Sequence, residues 1–416
     1  MDCSQVLAGT ISVKFLKNTS DLDENDTEIS RNYAYSENAM TDYVVHPAFR
    51  NGTDNNFMLG EWDEEVAGFW VAKYEAGYQA NTITDNSGTL STTISNEDDE
   101  VVYSDLKYTS YHSDWPTNPL EQNLSSTDYA SQSLSYPVFM PLTYSYNIIS
   151  IGDMYVLSQV IDTATSFYGL NSNISDSHMM KNSEWGAIAY LTQSSYGRNG
   201  TEITINNYYT NERTESPYRI TITGLASFGD SESSTKDLSD VASYNTINGY
   251  KGNTTGNATG VYDLNGGSWE RAPGYILNGD RNLTSNGTNS TYGSSGTLMG
   301  ATSTANPNGY QSLSTRTYTV YPYNSSNDNY TNNHNTYKGL LSSTYGYGDA
   351  ILETSTGTSE TNSWNSDYSN FVQNVGPFFS RGGEKDTGTN AGLFAYGHSN
   401  GRAVCYEAFR IVLTAE

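Results

Sequence analysis

The sequence predicts an α+β fold in which two helices pack among many short strands joined by long polar loops. Helical periodicity occurs in two segments only, residues 153–168 and 182–192. Elsewhere, short runs rich in β-branched and aromatic residues are separated by stretches of Asn, Ser, Thr and Gly. Aromatic residues make up 13% of the chain and include 35 Tyr. That content is too high for a disordered protein, so we expect the 416 residues to fold around a core that is small for their number.

The chain is strongly acidic. It has 46 acidic and 20 basic residues, which gives a net charge of −26. Such a chain repels phosphate backbones, so we expect no nucleic-acid partner. No run approaches 18 apolar residues, so we expect no membrane insertion. Charged residues are only 16% of the chain, and a polarity that comes instead from Asn, Ser, Thr and Gly favours an extracellular location, on a virion or a cell surface.

The first element is predicted at residues 6–16, where the sequence VLAGTISVKFL has the composition of a strand. An acidic linker follows to about residue 40. We expect residues 1–40 to serve attachment or assembly, because an unpaired strand can add to the sheet of a neighbour. A homo-oligomer or an assembly partner bound through this region is the corresponding prediction. Two further strands are predicted at residues 43–49 and 68–78.

Residues 41–416 are predicted to form one domain with insertions at about 81–135, 200–255 and 272–365. These stretches are dense in small polar residues and show no clean repeat. The two helices lie between the first and second insertions. In the second helix, Asn182 or Ser183 can cap the N-terminus, and four residues share one face at helical spacing: Trp185, Ile188, Ala189 and Thr192.

Motifs for catalysis are weak in this sequence. Residues 397–401 fit the G-x-S-x-G pattern of serine hydrolases, but that motif needs a following helix and a later histidine. Here a strand-like segment follows, and no histidine lies beyond His398, so we interpret the motif as a turn. The acidic runs 61–65 and 97–100 are best interpreted as solvated surface. The two cysteines, Cys3 and Cys405, exclude a disulfide framework and a thiolate metal cluster.

Four segments are unusual in combination. They are GFWVAKYEAG at 68–77, DSHMMKNSEWGAIAYLTQSSYG at 176–197, ATGVYDLNGGSWERAPG at 258–274, and the segment 379–413, which opens with FSRGG and closes with CYEAFRIVL. In this order they resemble the formylglycine-generating-enzyme (sulfatase-modifying factor) version of the C-type lectin fold. The amino-acid sequence of the second segment, together with HPAF at 46–49, resembles the sequences of non-catalytic, tropism-determinant-like proteins of phages and bacterial surfaces.

The resemblance also leads to an expectation about catalysis. Family members that oxidise a substrate cysteine use a redox-active cysteine pair after the RGG turn, and copper(I) requires such soft thiolates. The matching positions here are Thr387 and Gly392, which lack sulfur. We therefore expect no enzyme, and a degenerate oxidase of this type is the second alternative. Cys405 is interpreted as a small buried hydrophobe.

Two tryptophans in these motifs, Trp185 and Trp269, are interpreted as core anchors. Glu270 follows the second of them, at a position where family members can place a calcium-ligating acid. The family asparagine ahead of that tryptophan falls on Gly267 in this chain. The resemblance thus implies either no cofactor or calcium at Glu270.

In diversified proteins of this fold, the segment after RGG forms a ligand-binding face. A mixture of Tyr, Asn and Ser suits such recognition, because Tyr supplies rigid contact area and Asn and Ser supply hydrogen bonds. The residues that the resemblance assigns to this face, with two from the preceding loop, are Lys385, Asp386, Thr387, Thr389, Asn390, Tyr396, His398, Ser399, Asn400, Arg402, Tyr406, Trp364 and Tyr368.

The sequence therefore predicts a non-enzymatic extracellular recognition protein, either a phage receptor-binding subunit or a bacterial surface adhesin. Its expected partner is a carbohydrate or protein on a host or cell surface. The alternative is a structural subunit of a virion appendage or pilus-like filament, in which the lectin-like domain is a decoration.

Overall fold

The structure is a computed structural model. It describes residues 15–16, 43–44, 46–49, 62, 64–77, 137–147, 149–159, 161–162, 170, 175–209, 221–227, 240–276, 291–292, 296–297, 317–324, 326–344, 348–355, 361–373, 375–401 and 404–415. The insertion predicted at 81–135, residues 6–14 of the predicted N-terminal strand and Arg402 lie outside these ranges.

Strands outnumber α-helices among the described elements. The helices are α1 (Ile151–Gln159), α2 (Asn182–Gln193) and α3 (Tyr330–Thr344). The strands are β1 (Phe15–Leu16), β2 (Tyr43–Val44), β3 (Trp70–Val71), β4 (Ser175–Met179), β5 (Leu225–Ser227), β6 (Val241–Ser243), β7 (Trp269–Ile276), β8 (Thr291–Tyr292), β9 (Gly296–Thr297), β10 (Thr319–Tyr321), β11 (Phe378–Gly382), β12 (Gly392–Ser399), β13 (Glu407–Ala408) and β14 (Ile411–Ala415). This mixture confirms the α+β class, and the lectin fold itself stays a prediction.

The largest sheet of the described residues has five strands. Its order is β10-β7-β11-β12, and β13 also pairs with β7. β11 is antiparallel to both of its neighbours, with Ser380 opposite Arg271 on β7 and Gly397 on β12. Because β11 takes one edge of β7, the parallel strands β10 and β13 share the other edge. This arrangement brings the residues just before β13 beside the start of β7.

A three-stranded sheet joins distant parts of the chain. Its central strand, β14, is the closing strand that the sequence predicts, and it is antiparallel to both β3 and β4. β1 and β2 form a separate antiparallel pair, so the end of the predicted N-terminal strand, Phe15–Leu16, pairs within its own chain. No helix in the described part of the chain is long and apolar enough to cross a membrane.

The described helices agree only in part with those that the sequence predicts. α2 confirms the prediction at 182–192, but Lys181 is its N-cap residue, and the Glu184 carboxylate accepts the Lys181 backbone N–H at 2.8 Å. The expected cap at Asn182 or Ser183 is therefore wrong. α1 begins at Ile151 and ends at Gln159, so it covers only the first part of the predicted segment 153–168.

α3 is a helix that the sequence did not predict, and it lies inside the stretch interpreted as an insertion at 272–365. Its buried face carries polar residues, which hides the periodicity. Asn333 donates its amide to the backbone oxygen of Val372 at 3.1 Å, and the Tyr337 hydroxyl donates to Asp349 at 2.6 Å. Hydrogen bonds to residues far along the chain thus help to hold this helix.

Tyrosines and phenylalanines dominate the core behind β11 and β12. Tyr321, Tyr337 and Phe379 are fully buried there, and the Tyr321 and Phe379 ring centroids are 4.5 Å apart. Each buried Tyr needs a partner for its hydroxyl, and Tyr321 receives a hydrogen bond from Asn182 on α2 at 2.8 Å. The segments predicted as insertions at 200–255 and 272–365 thus supply core residues as well as loops, since β5, β6 and β10 are also buried.

Candidate functional site

The RGG turn ends β11 and opens the predicted binding segment. Gly382 and Gly383 have φ values of 84° and 77°, a conformation that side-chain-bearing residues avoid. A Cβ atom on Gly382 would also lie 3.1 Å from the ring of Trp185. The chain then crosses to β12, and the Lys385 N–H donates to the backbone oxygen of Gly267 at 3.1 Å. The loop 384–391 is therefore fixed against the start of β7.

The charged residues of this loop are arranged around a buried lysine. Lys385 is 2% exposed, and its Nζ lies 3.2 Å from Glu384 and 3.7 Å from Asp386. The two carboxylates are the outer partners, with side chains 21% and 41% exposed. The expectation that Lys385 presents its charge on the binding face is wrong, because this lysine serves as the internal counter-ion of the loop.

Tyr396 does not lie on the face to which the sequence assigned it. It is fully buried, its hydroxyl donates to Ser355 at 2.8 Å, and burial raises its pKa. Tyr396 lies on β12 and packs in the same cluster as Phe379, so it belongs to the core. Ser399 is buried as well.

The two tryptophans of the motifs have different environments. Trp185 is 2% exposed and donates its Nε1–H to the backbone oxygen of Leu393 at 2.6 Å, which confirms it as a core anchor. Trp269, in contrast, is only half-buried. Its ring covers Gly397, where a Cβ atom would lie 3.4 Å from it, and meets the ring of Tyr368 edge-on with centroids 5.7 Å apart. The interpretation of Trp269 as a full core anchor is therefore wrong.

Backbone hydrogen bonds connect two tyrosines to the chain around this tryptophan. The Trp269 N–H donates to the backbone oxygen of Tyr406 at 2.8 Å, and the Tyr406 side chain is 37% exposed. The Tyr368 N–H donates to the backbone oxygen of Asn390 at 2.7 Å, and the Tyr368 hydroxyl accepts a hydrogen bond from Asn370 at 3.2 Å. We call Trp269, Tyr368 and Tyr406 the aromatic patch.

A buried ion pair fixes the strands beneath the aromatic patch. The Arg271 guanidinium donates to Glu407 from Nε at 2.8 Å and from Nη2, and both side chains are almost fully buried. Hydroxyls of Ser380 and Ser399 donate to the same carboxylate at 2.8 and 2.9 Å. Because this carboxylate accepts hydrogen bonds from side chains on β7, β11 and β12, it holds β13 beside β7. It therefore also fixes the backbone next to Tyr406.

The same ion pair also involves the serine of the G-x-S-x-G motif. Residues 397–399 belong to β12, and the Ser399 hydroxyl is engaged with Glu407. Ser399 is therefore neither on an exposed turn nor at a strand-to-helix elbow, and its hydroxyl has a structural role.

The remaining residues of the predicted face are divided by exposure. Thr389 is exposed, whereas Thr387, Asn390, His398 and Asn400 are half-buried. His398 lies 3.2 Å from Gln373, and burial lowers its pKa. Trp364 packs against the core ring of Phe394 with centroids 5.0 Å apart, which separates it from the aromatic patch.

Glu270 is poorly placed to bind calcium. It is 2% exposed, and both of its oxygens accept hydrogen bonds from Arg410, at 2.5 Å and 3.0 Å. A calcium ion would need those oxygens and would meet the guanidinium charge. Within the described residues, no group of three His, Cys, Asp or Glu side chains could hold a metal ion. The donor set around Glu270 therefore does not fit the cofactor that the resemblance implied.

Comparisons with known proteins do not supply a family for this chain. No family model matches it, and no curated protein does so at a significant level. The resemblance to formylglycine-generating enzymes stays a prediction, and function is inferred from the geometry of the described residues.

Proposed function

We propose that the protein is a non-enzymatic extracellular recognition protein, a phage receptor-binding subunit or a bacterial surface adhesin, that binds its partner through the aromatic patch. The observation that supports this proposal is the position of Trp269, Tyr368 and Tyr406. Three large rings lie partly exposed on a backbone fixed by hydrogen bonds and a buried ion pair. Trp and Tyr in this setting are the residues from which binding hot spots are most often formed.

The positions that the resemblance assigns to cysteine oxidation have surroundings that do not suit a thiol pair. Thr387 uses its hydroxyl to accept the Glu384 N–H at 3.0 Å. A Cβ atom on Gly392 would lie 2.1 Å from a carboxylate oxygen of Asp367, so a cysteine does not fit there. The surroundings of both positions are thus built around residues other than a thiol pair.

Replacement of both Tyr368 and Tyr406 with Ala tests the proposal. We expect the double variant to lose attachment, because it removes two of the three rings while the backbone contacts remain. The measurement is attachment of the fluorescently labelled whole chain to a panel of bacterial cells and to immobilised glycans. Circular dichroism and the melting temperature establish that the variant is folded.

Tyr196→Ala is the matched control. Tyr196 is 50% exposed and lies outside the aromatic patch, in the turn after α2. We expect it to attach as the unmodified protein does. Attachment by a folded Tyr368→Ala/Tyr406→Ala variant at the unmodified level would show that the aromatic patch is not the binding face.

A further inference from the structure

The turn 363–367 leads directly into Tyr368 and has a strained backbone. Asn365 and Ser366 have φ values of 62° and 68°, a left-handed conformation that residues with side chains keep only where surrounding contacts hold it. Within the turn, the Ser366 N–H donates to the backbone oxygen of Ser363 at 3.2 Å. The conformation of this turn therefore depends on its contacts with the rest of the fold.

The Asp367 carboxyl group makes such a contact in a closed space. Its side chain is fully buried, and its Oδ2 accepts the Phe394 N–H on β12 at 2.9 Å. Its Oδ1 is also buried and has no hydrogen-bond partner among the described residues. A Cβ atom on Gly392 would overlap the carboxyl group, so the carboxyl packs directly on the backbone there. Water cannot reach that side of the carboxyl while the turn stays closed.

The surroundings of Asp367 disfavour an ionised carboxylate. Burial raises the pKa of Asp367 well above its ordinary range, and the charge of Glu202 raises it further. The hydrogen bond from Phe394 and the charge of Arg381 on β11 act in the opposite sense but do not outweigh burial. The closed turn therefore accommodates the protonated carboxyl better than the ionised one.

We infer that the turn 363–367 is a pH-sensitive latch on the aromatic patch, closed while Asp367 is protonated and opened when Asp367 ionises. The inference rests on the proposed function and concerns the regulation of the same surface. Opening lets water reach the carboxylate and relaxes the left-handed backbone. It also moves the chain next to Tyr368, whose ring meets that of Trp269 edge-on, and so disturbs the aromatic patch.

The direction of the pH response follows from the raised pKa of Asp367 in the closed turn. The preference for the closed turn is fully present below the ordinary pKa of an aspartate. It is lost as pH rises through the closed-state value, because the open turn releases the proton more readily.

Hydrogen exchange at the Phe394 amide measures the latch, because Asp367 covers that N–H in the closed turn. The whole chain is labelled at pH 6, 7 and 8, and overlapping peptides around Phe394 are analysed by mass spectrometry, with rates corrected for the intrinsic effect of pH. We expect the corrected rate to rise by up to about tenfold per pH unit, since opening is linked to the release of one proton. Peptides from α2 are the internal reference and should not change.

Three variants assign the response to Asp367. Asp367→Asn keeps an oxygen that can accept the Phe394 N–H but cannot ionise, so its corrected rate should be equal at pH 6 and pH 8. Glu202→Gln changes an exposed side chain and should reduce the rise, because it removes the charge that raises the pKa of Asp367. This variant gives a second test if Asp367→Asn does not fold. Asp153→Asn, which removes another buried carboxyl on α1, is the matched control and should keep the full rise.

A Phe394 exchange rate that does not depend on pH would overturn the inference. An equal rise in Asp367→Asn would overturn it too, as would an equal rise in α2, because the whole fold would then be opening. Attachment of the unmodified chain to cells or glycans should fall between pH 6 and pH 8, and that of Asp367→Asn should not. Equal attachment of the unmodified chain at both pH values would show that the turn does not regulate the aromatic patch.

The proposed function can fail separately. If a folded Tyr368→Ala/Tyr406→Ala variant attaches normally while exchange at Phe394 still depends on Asp367, the turn responds to pH but the aromatic patch is not the binding face. If that variant loses attachment and exchange at Phe394 is independent of pH, recognition through the aromatic patch stands and the latch is wrong.

Discussion

At the scale of single residues, His178 has an unusual environment. It is fully buried, with Nδ1 2.6 Å from Asp176 and Nε2 2.9 Å from Glu184. An ionised carboxylate only accepts hydrogen bonds, so with both carboxyls ionised the two ring nitrogens donate and the ring is an imidazolium. Burial alone would lower the pKa of His178, but the Glu184 charge and both hydrogen bonds outweigh it and raise the pKa. Lys181 also pairs with Glu184 at 3.4 Å.

His178→Gln should therefore destabilise the fold, by about 3 kcal/mol, because it leaves two carboxylates with one cation fewer. Since the folded-state pKa of His178 is raised, its contribution is present below about pH 6.5 and is lost as pH rises through the folded value. Urea unfolding at pH 6 and pH 9 measures the destabilisation and its pH dependence. The unfolding free energy of His178→Gln should differ less from that of the unmodified protein at pH 9 than at pH 6.

His398→Gln is the control for this experiment, because the pKa of that half-buried histidine is lowered. We expect it to change the unfolding free energy much less at pH 6. A His178→Gln variant whose destabilisation is equal at both pH values would contradict the assignment of an imidazolium.

At the scale of elements, α3 shows how a polar helix is held. The Tyr337 hydroxyl is one of two tyrosine hydroxyls that donate to Asp349, the other being that of Tyr321 at 3.3 Å. Asp349 is 2% exposed, so water cannot replace the two tyrosine hydroxyls as hydrogen-bond donors to its carboxyl. The ring of Tyr337 also stacks on Phe371, with centroids 5.8 Å apart. One hydroxyl therefore couples α3 to the core behind β11.

Tyr337→Phe keeps the ring and removes that hydroxyl. We expect the unfolding free energy to fall by about 1–3 kcal/mol, because a buried acceptor loses its shorter hydrogen bond. Tyr330→Phe in the first turn of α3 is the control, since Tyr330 is 37% exposed. Its effect should stay within about 0.5 kcal/mol in the same urea experiment. Equal effects of both substitutions would mean that Asp349 does not hold the helix.

The sequence predicts elements well where the signal is local. α2 was predicted because Trp185 and Ile188 repeat at helical spacing within one short segment. α3 was missed because Asn333 and Tyr337 are satisfied by partners that only the folded chain brings near.

In the predicted binding segment, the sequence does not indicate which side chains are buried. Trp269 packs over Gly397, which lies on another strand far along the chain. Tyr396 and Tyr368 cannot be distinguished by composition. The burial of Tyr396 depends on which side of β12 packs against the core, and that is decided by pairing with β11. The binding region after the RGG turn stays a prediction, and the direction of each side chain in it could not be predicted from the sequence.

At the scale of the whole molecule, buried acids determine the response to pH. Burial raises the pKa of Asp153 to about 7, and it raises the pKa values of Glu75 and Asp367 well above their ordinary ranges. At these three carboxyls the folded state therefore holds more protons than the unfolded state once the pH exceeds about 4.5. The net charge of −26 adds repulsion that also grows as carboxyls ionise.

We expect the protein to be more stable at pH 5 than at pH 8. The stability that these raised pKa values contribute is fully present below the ordinary values and is lost as pH rises through the folded ones. Glu184, whose pKa is lowered, acts in the opposite sense and limits stability below about pH 4. Urea midpoints from pH 4 to pH 9 measure the profile. A maximum at pH 8 would contradict it, and Asp153→Asn should flatten the slope between pH 5 and 8.

The main-chain hydrogen bonds at the aromatic patch have a consequence for evolution. Trp269 is linked to Tyr406, and Tyr368 to Asn390, through main-chain atoms. Substitution at any of the three aromatic positions leaves those links in place, because every residue except proline supplies the same N–H and carbonyl. Under the proposed function, a lineage can therefore exchange the side chains that meet a partner while the main-chain links stay. Change of host or receptor then requires few substitutions.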